Sequence, residues 1–254
     1  MGTVAGINTR RYHGLLTASM RPPAERYLLL SRLEELVNNT YISTCQYPGV
    51  IAPDGCRTLQ AFTRDPFLHW TFRLPEGLIH RELFLVPGQN TVVITYRSEF
   101  DGTILIQPML AFRDYHSVTR KNSRFNSNLQ LHSSGFSIHP YDDLPRLHLH
   151  VPEAQFTEKP DWYKNLEYLR EMDRGLEWHE DLFCPGSFSL HLKAGVESFL
   201  VASTEQLEVT PEWCASNKVS RSFATPLEAA ADQFLVTRAD GKPTIIAGYP
   251  WFTD

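Results

Sequence analysis

Alternating hydrophobic and polar positions dominate the first 205 residues and predict β-strands. In residues 69–74, for example, Trp70, Phe72 and Leu74 fall on one face, and a Pro-Glu-Gly turn follows. The predicted strands are residues 69–74, 78–86, 91–98, 103–112, 128–133, 135–140, 146–151, 186–195 and 197–204. About ten or more antiparallel strands are too many for one open sheet, so we expect a mainly β fold of two packed sheets.

Two segments show the spacing of an amphipathic helix. In residues 160–175, Trp162, Leu166 and Leu169 stand at i, i+4 and i+7, and Gly175 supplies a left-handed end. The second segment begins at Thr225, with Pro226 at the first helical position and Glu228 placed to complete a capping box. An Asp-Gly turn between short strands follows this second predicted helix.

Periodicity is weak between the strands and the second helix. We therefore predict a β domain over residues 1–205, a linker over 206–224 and the start of a second domain over 225–254. About thirty residues cannot bury a core of their own. We expect that second unit to be only the beginning of a longer domain.

Composition and charge disfavour some classes of binding partner. The 254 residues carry 24 basic and 29 acidic side chains, a net charge of −5, with no long block of one sign. This pattern disfavours nucleic acid as the partner. No apolar run approaches the roughly 18 residues of a membrane span, and the N-terminus has no apolar signal region. The four cysteines have no metal or redox spacing, so we expect free thiols and a cytoplasmic protein.

Four segments contain more polar and aromatic residues than a β core requires: residues 8–16, 111–116, 161–188 and 249–254. In the first, Arg10 and Arg11 are adjacent, so on a strand only one of them can point inward. In the second, Arg113 stands beside Asp114 and His116. This group either fixes a turn or belongs to a binding site.

The third segment is rich in carboxylates, including Glu167, Glu171, Glu180 and Asp181. Glycoside hydrolysis requires a pair of carboxyl groups, one to protonate the leaving oxygen and one to activate water or attack. Glu167 and Glu171 are spaced i, i+4, however, and a solvated acidic helix face balanced by Arg170 and Arg174 is the more common explanation of such a pair. His148 and His150 share a strand face, but no third ligand follows at a metal-binding spacing, so we expect no metal site.

Five stretches, in this order, resemble the N-terminal domain and domain junction of bacterial and archaeal glycogen-debranching enzymes of the amylo-α-1,6-glucosidase type. They are GTVAGINTRRYHGLL (2–16), DPFLHWTF (65–72), LAFRDYHSVTR (110–120), WYKNLEYLREMDRGLEWHEDLFCPGSF (162–188) and AADQFLV with TIIAGYPWFTD (230–236 and 244–254). The resemblance implies an antiparallel β-supersandwich followed by an (α/α)6-toroid catalytic domain that begins within residues 225–254. It further implies hydrolysis of α-1,6-linked glucose, with α-glucan and the catalytic domain as partners, no cofactor, and a catalytic acid and base beyond Asp254.

By the same resemblance, the motif residues border the sugar cleft or the domain interface. These are Arg113, Asp114, His116, Trp162, Tyr163, Glu180 and Asp181, with Trp251 and Asp254 in the pocket itself. The alternative is a sandwich that functions alone, as a carbohydrate-binding or mutarotase-like protein.

Overall fold

The computed structural model describes residues 2–22, 24–220, 223–238 and 240–246. These residues form antiparallel strands, numbered here in chain order, and three short helices. The six-stranded first sheet has the spatial order β1 (Leu16–Arg21), β2 (Ala24–Val37), β10 (Gly102–Asp114), β15 (His179–Leu192) and β14 (Gln155–Glu167), with β3 (Thr40–Tyr41) paired to β2. The eight-stranded second sheet runs β11 (Leu129–His132), β12 (Gly135–Ile138), β13 (Leu147–His150), β16 (Glu197–Ser203), β9 (Thr91–Ser98), β8 (Gly77–Leu85), β7 (Leu68–Leu74) and β6 (Leu59–Thr63).

Smaller elements complete the fold. Two hairpins are formed by β4 (Thr44–Tyr47) with β5 (Val50–Asp54) and by β17 (Leu235–Thr237) with β18 (Pro243–Ile245). A 3-10 turn spans Gly55–Thr58, and the helices are α1 (Leu169–Met172), α2 (Pro211–Asn217) and α3 (Pro226–Asp232). The predicted mainly β, antiparallel fold with few short helices is confirmed.

One buried apolar cluster contains side chains from both sheets. Leu30, Ile106 and Phe188 come from the first sheet, whereas Phe72 and Ile94 come from the second. The two sheets therefore face each other across a common core, as two half-buried antiparallel sheets do. All nine predicted strands overlap observed ones. The long strand β2 was not predicted, because it is buried along almost its whole length and so lacks the alternation that marks a half-buried strand.

The helix predicted over residues 160–175 is wrong. The first half of that segment belongs to β14, which pairs with β15 from Gln155 opposite Ser189 to Glu167 opposite His179. Two register shifts, one after Glu158 and one after Tyr163, insert extra residues into the strand. These irregularities break the two-residue period and produce a spacing that imitates a helix. Only α1 is helical, and Gly175 follows it at φ +68° as predicted.

The C-terminal elements agree with the sequence in detail. Thr225 and Glu228 form the predicted capping box at the start of α3, and the β17–β18 hairpin follows. The predicted linker contains helix α2, whose Cys214 is buried with Val201 and Phe84 of the second sheet. No toroid segment is evident in the described residues after Phe223. The domain boundaries themselves stay a prediction.

Candidate functional site

Three of the four polar segments meet at one place in the fold. Residues 8–16 form turns before β1, residues 111–116 close β10, and the third segment supplies α1 and the start of β15. Their polar and charged side chains form a group that we call the arginine cluster: Arg10, Arg11, Arg113, Tyr168, Glu171 and Glu180. Residues that are 160 positions apart in sequence thus become neighbours.

Glu171 binds both adjacent arginines. Its fully buried carboxylate lies 2.6 Å from Nε of Arg10 and 3.6 Å from Nη2 of Arg11. The prediction that only one of these arginines points inward is wrong, because residues 10–12 form a turn rather than a strand. A turn does not alternate its side chains as a strand does. Glu171 therefore fixes the N-terminal segment to α1.

Glu180 is the second buried anchor. Its carboxylate is 0% exposed and accepts hydrogen bonds from the guanidinium of Arg113, the hydroxyl of Tyr168 and the amide of Thr119 (2.9 Å). Burial, followed by the charge of Glu180, raises the pKa of Tyr168 well above its ordinary value, so the phenol stays protonated and donates. Arg113 in turn donates to the carbonyl of Arg11 at 2.8 Å.

Asp181, also buried, holds two backbone segments. Its carboxylate oxygens accept from the amides of Lys121 (3.0 Å) and Asn165 (2.9 Å). Together Glu180 and Asp181 tie residues 119–121 to β14 and β15. Both carboxylates are thereby occupied in positioning backbone.

Asp114 and His116 face solvent at the edge of the arginine cluster. Nδ1 of His116 lies 3.1 Å from the hydroxyl of Tyr12, and its carbonyl accepts from Arg11 at 2.6 Å. Asp114 accepts from the amide of His116 at 2.8 Å. Contacts with Tyr12 and Arg11 hold His116, and Asp114 is held through the amide of His116.

Trp162 and Tyr163 point to opposite faces of β14, as neighbouring strand residues do. Trp162 packs with Phe125 and Phe183 at centroid distances of 5.0 and 5.5 Å, next to the core between the sheets. Tyr163 lies against the separate apolar cluster that contains Leu182. Trp251 and Asp254 lie outside the described residues. Whether any of the predicted residues contacts a sugar or another domain stays a prediction.

The sequence did not predict a cavity of about 760 Å³ that lies beside β2. It is bordered by the N-terminal residues 2–6, by β2 and by strands β6 to β8. Its lining combines aromatic rings such as Trp70 and Phe62 with the charged pair Arg81 and Glu35. No local motif marks it, because its walls come from seven separate stretches of the chain.

The histidines of β13 gain a neighbour that the sequence did not indicate. The rings of His132 and His150 lie 4.5 Å apart, and the hydroxyl of Ser134 is 2.9 Å from Nδ1 of His150. His148 bonds Ser137 instead, at 2.7 Å. The described part of the chain contains no group of three or more ligands arranged to hold a metal ion.

Comparison with protein-family models matches residues 1–199 to the family described as glycogen debranching enzyme N terminal. The chain belongs to this family. The match covers the arginine cluster, the whole first sheet and all of the second sheet except the end of β16, and it confirms the resemblance carried by the first four of the five stretches. A search of curated proteins returned no match.

Two further observations concern the helices and the cysteines of this debranching-enzyme N-terminal domain. Among the described residues, no helix has the length and apolar character needed to cross a membrane. All four cysteines are free, as predicted. Cys45, Cys184 and Cys214 are buried, and Cys56 is partly exposed.

Proposed function

We propose that this chain is the non-catalytic N-terminal part of an amylo-α-1,6-glucosidase, which hydrolyses the α-1,6-linked glucose at branch points of glycogen or limit dextrin. The family match over residues 1–199 is the observation that carries this proposal. In this proposal the two sheets are the supersandwich of such enzymes, and residues 225–254 open an (α/α)6 toroid.

The state of the buried carboxylates supports a non-catalytic role. Hydrolysis of a glycosidic bond needs one carboxyl group that carries a proton and a second that is free to act on water or the sugar. Glu171 and Glu180 are engaged by arginine, and Glu35 accepts from Arg81 and Tyr96 at 2.6 Å each. These three carboxylates are therefore engaged in contacts within the domain and are not free to act on a substrate. The acid and base therefore belong to the catalytic domain, with inversion of configuration as in glucoamylases.

The arginine cluster then positions one wall of the glucan cleft. Asp114 and His116 are exposed at its edge, and side chains of this kind bind sugar hydroxyl groups through hydrogen bonds. We place the protein in the cytoplasm, in keeping with its free thiols, and we assign it no cofactor. The ligand is α-glucan, and the partner is the catalytic domain.

The test measures glucose released from branched limit dextrin by the 254-residue chain and by a protein that joins it to its catalytic domain. We expect release only from the longer protein. In the longer protein, His116→Ala should lower kcat/KM, whereas the exposed Lys193→Ala should not. Glucose release by the chain alone would refute the proposal. Anomerisation of glucose or tight maltooligosaccharide binding by the chain alone would favour the independent sandwich.

A further inference from the structure

We propose that the cavity beside β2 binds a small organic anion with an apolar body. Its volume of about 760 Å³ falls in the range of about 300–1,000 Å³ that is usual for small-molecule sites. The inference does not depend on the proposed glucosidase role.

Apolar side chains supply the body of the site. Leu33 of β2 faces Phe62, Phe72 and Leu83 of strands β6 to β8 across the cavity. The N-terminal segment closes one side, where Nε1 of Trp70 donates to the carbonyl of Val4 at 3.0 Å. A ligand that displaces water from such walls gains stability in proportion to the apolar surface that it buries.

Arg81 is held with part of its guanidinium unoccupied. Its Nη1 donates to Glu35 at 2.6 Å, and its central carbon lies 4.5 Å from the centre of the Trp70 ring. The other oxygen of Glu35 accepts from Tyr96, so this carboxylate is already satisfied. Nε and Nη2 of Arg81 have no hydrogen-bond partner among the described residues, and the side chain is 14% exposed. A fixed guanidinium with free donors suits a carboxylate.

The remaining charges also favour an anion. Arg64 borders the cavity, is exposed, and has no ion-pair or hydrogen-bond partner among the described residues. Arg32 also lines the site, with its charge offset by Glu34 at 3.5 Å. The lining thus contains three arginines and one carboxylate, that of Glu35. Arg32 and Arg81 are each paired with a carboxylate, so Arg64, unpaired among the described residues, leaves the lining with a positive charge that favours anions.

A sugar fits this site poorly. Stacking on a sugar requires an accessible ring face, but Trp70 is only 7% exposed, with Arg81 over its ring and Phe62 at a centroid distance of 5.1 Å. The geometry therefore favours an apolar body that carries a single anionic group over a neutral polyhydroxyl ligand.

Titration calorimetry of the 254-residue chain with 1-naphthoate tests the proposal, with the neutral 1-naphthalenemethanol as the matched probe. We expect saturable one-to-one binding of naphthoate, and weaker binding of the alcohol by about tenfold or more. Arg64→Glu should weaken naphthoate binding to a similar degree. Arg124→Glu makes the same charge change at an exposed position outside the cavity and should leave the binding unchanged.

Leu83→Trp tests the location, because the added ring fills the cavity. It should abolish binding, provided that circular dichroism and the unfolding midpoint show an intact fold. If this variant does not fold, the comparison of Arg64→Glu with Arg124→Glu decides the question. Three results would overturn the proposal: no saturable binding of naphthoate, equal affinity for the neutral alcohol, or equal loss in the two arginine variants.

Discussion

Replacing Glu180 by glutamine isolates the contribution of one buried charge. The substitution keeps the shape of the side chain but exchanges an acceptor oxygen for an NH₂ donor. Three donors converge on this carboxylate, from Arg113, Tyr168 and Thr119. The new amide group therefore meets at least one donor where an acceptor is required.

The cost follows from the burial of the partner. Arg113 is 5% exposed and stays charged when its carboxylate is removed. Removing one member of a buried ion pair costs about 3–5 kcal/mol, because the remaining charge is left uncompensated away from water. Since domains are stable by only about 5–15 kcal/mol, Glu180→Gln should remove about a fifth or more of the stability.

Urea unfolding monitored by tryptophan fluorescence gives the free energy of unfolding. Asp173→Asn is the matched control, because Asp173 pairs with Arg170 on the surface, where the two side chains are 51% and 70% exposed. We expect this control to lose no more than about 1 kcal/mol. The double variant Arg113→Met/Glu180→Leu should recover part of the loss, because it removes both charges. A loss below about 1 kcal/mol for Glu180→Gln would show that the cluster is not an electrostatic anchor.

Two further predictions rest on buried titratable groups. Burial, reinforced by His132 and His148, lowers the pKa of His150 from 6.5 to about 4. Between pH 6.5 and 4 the unfolded state therefore binds a proton at His150 that the folded state does not bind, so the free energy of unfolding should fall by up to about 3 kcal/mol. Thermal unfolding of the native chain and of His150→Leu across this pH range measures the effect, and the fall should be smaller in the variant. Burial raises the pKa of Cys184 to about 12 and that of Cys214 to about 11. Ellman's reagent should therefore modify Cys56 first in the folded protein and all four thiols in urea, and rapid modification of Cys184 in the folded state would contradict this.

Local patterns predicted every strand of the second sheet except β6, because apolar and polar residues alternate in sequence, as at Trp70, Phe72 and Leu74 of β7. The same reasoning failed at β14, where register shifts displaced the alternation, and at β2, where burial on both faces removed it. The capping box at Thr225 could be predicted because its partner, Glu228, lies three residues away. The cavity could not be predicted, because the contacts of Val4 with Trp70 and of Glu35 with Arg81 join residues that are far apart in sequence.

For the same reason, the sequence identified individual residues of the candidate site but not their contacts with one another, which join distant parts of the chain. The motifs placed Arg113, Glu180 and Asp181 at the sugar cleft or the domain interface, and the described structure engages their polar atoms with backbone and with one another. A buried charge is retained only where such partners satisfy it. Any contact with glucan or a neighbouring domain must therefore come from side chains whose polar atoms remain accessible, such as those of Asp114 and His116. The buried charges act on that contact only indirectly, by fixing residues 114–121 against β14 and β15.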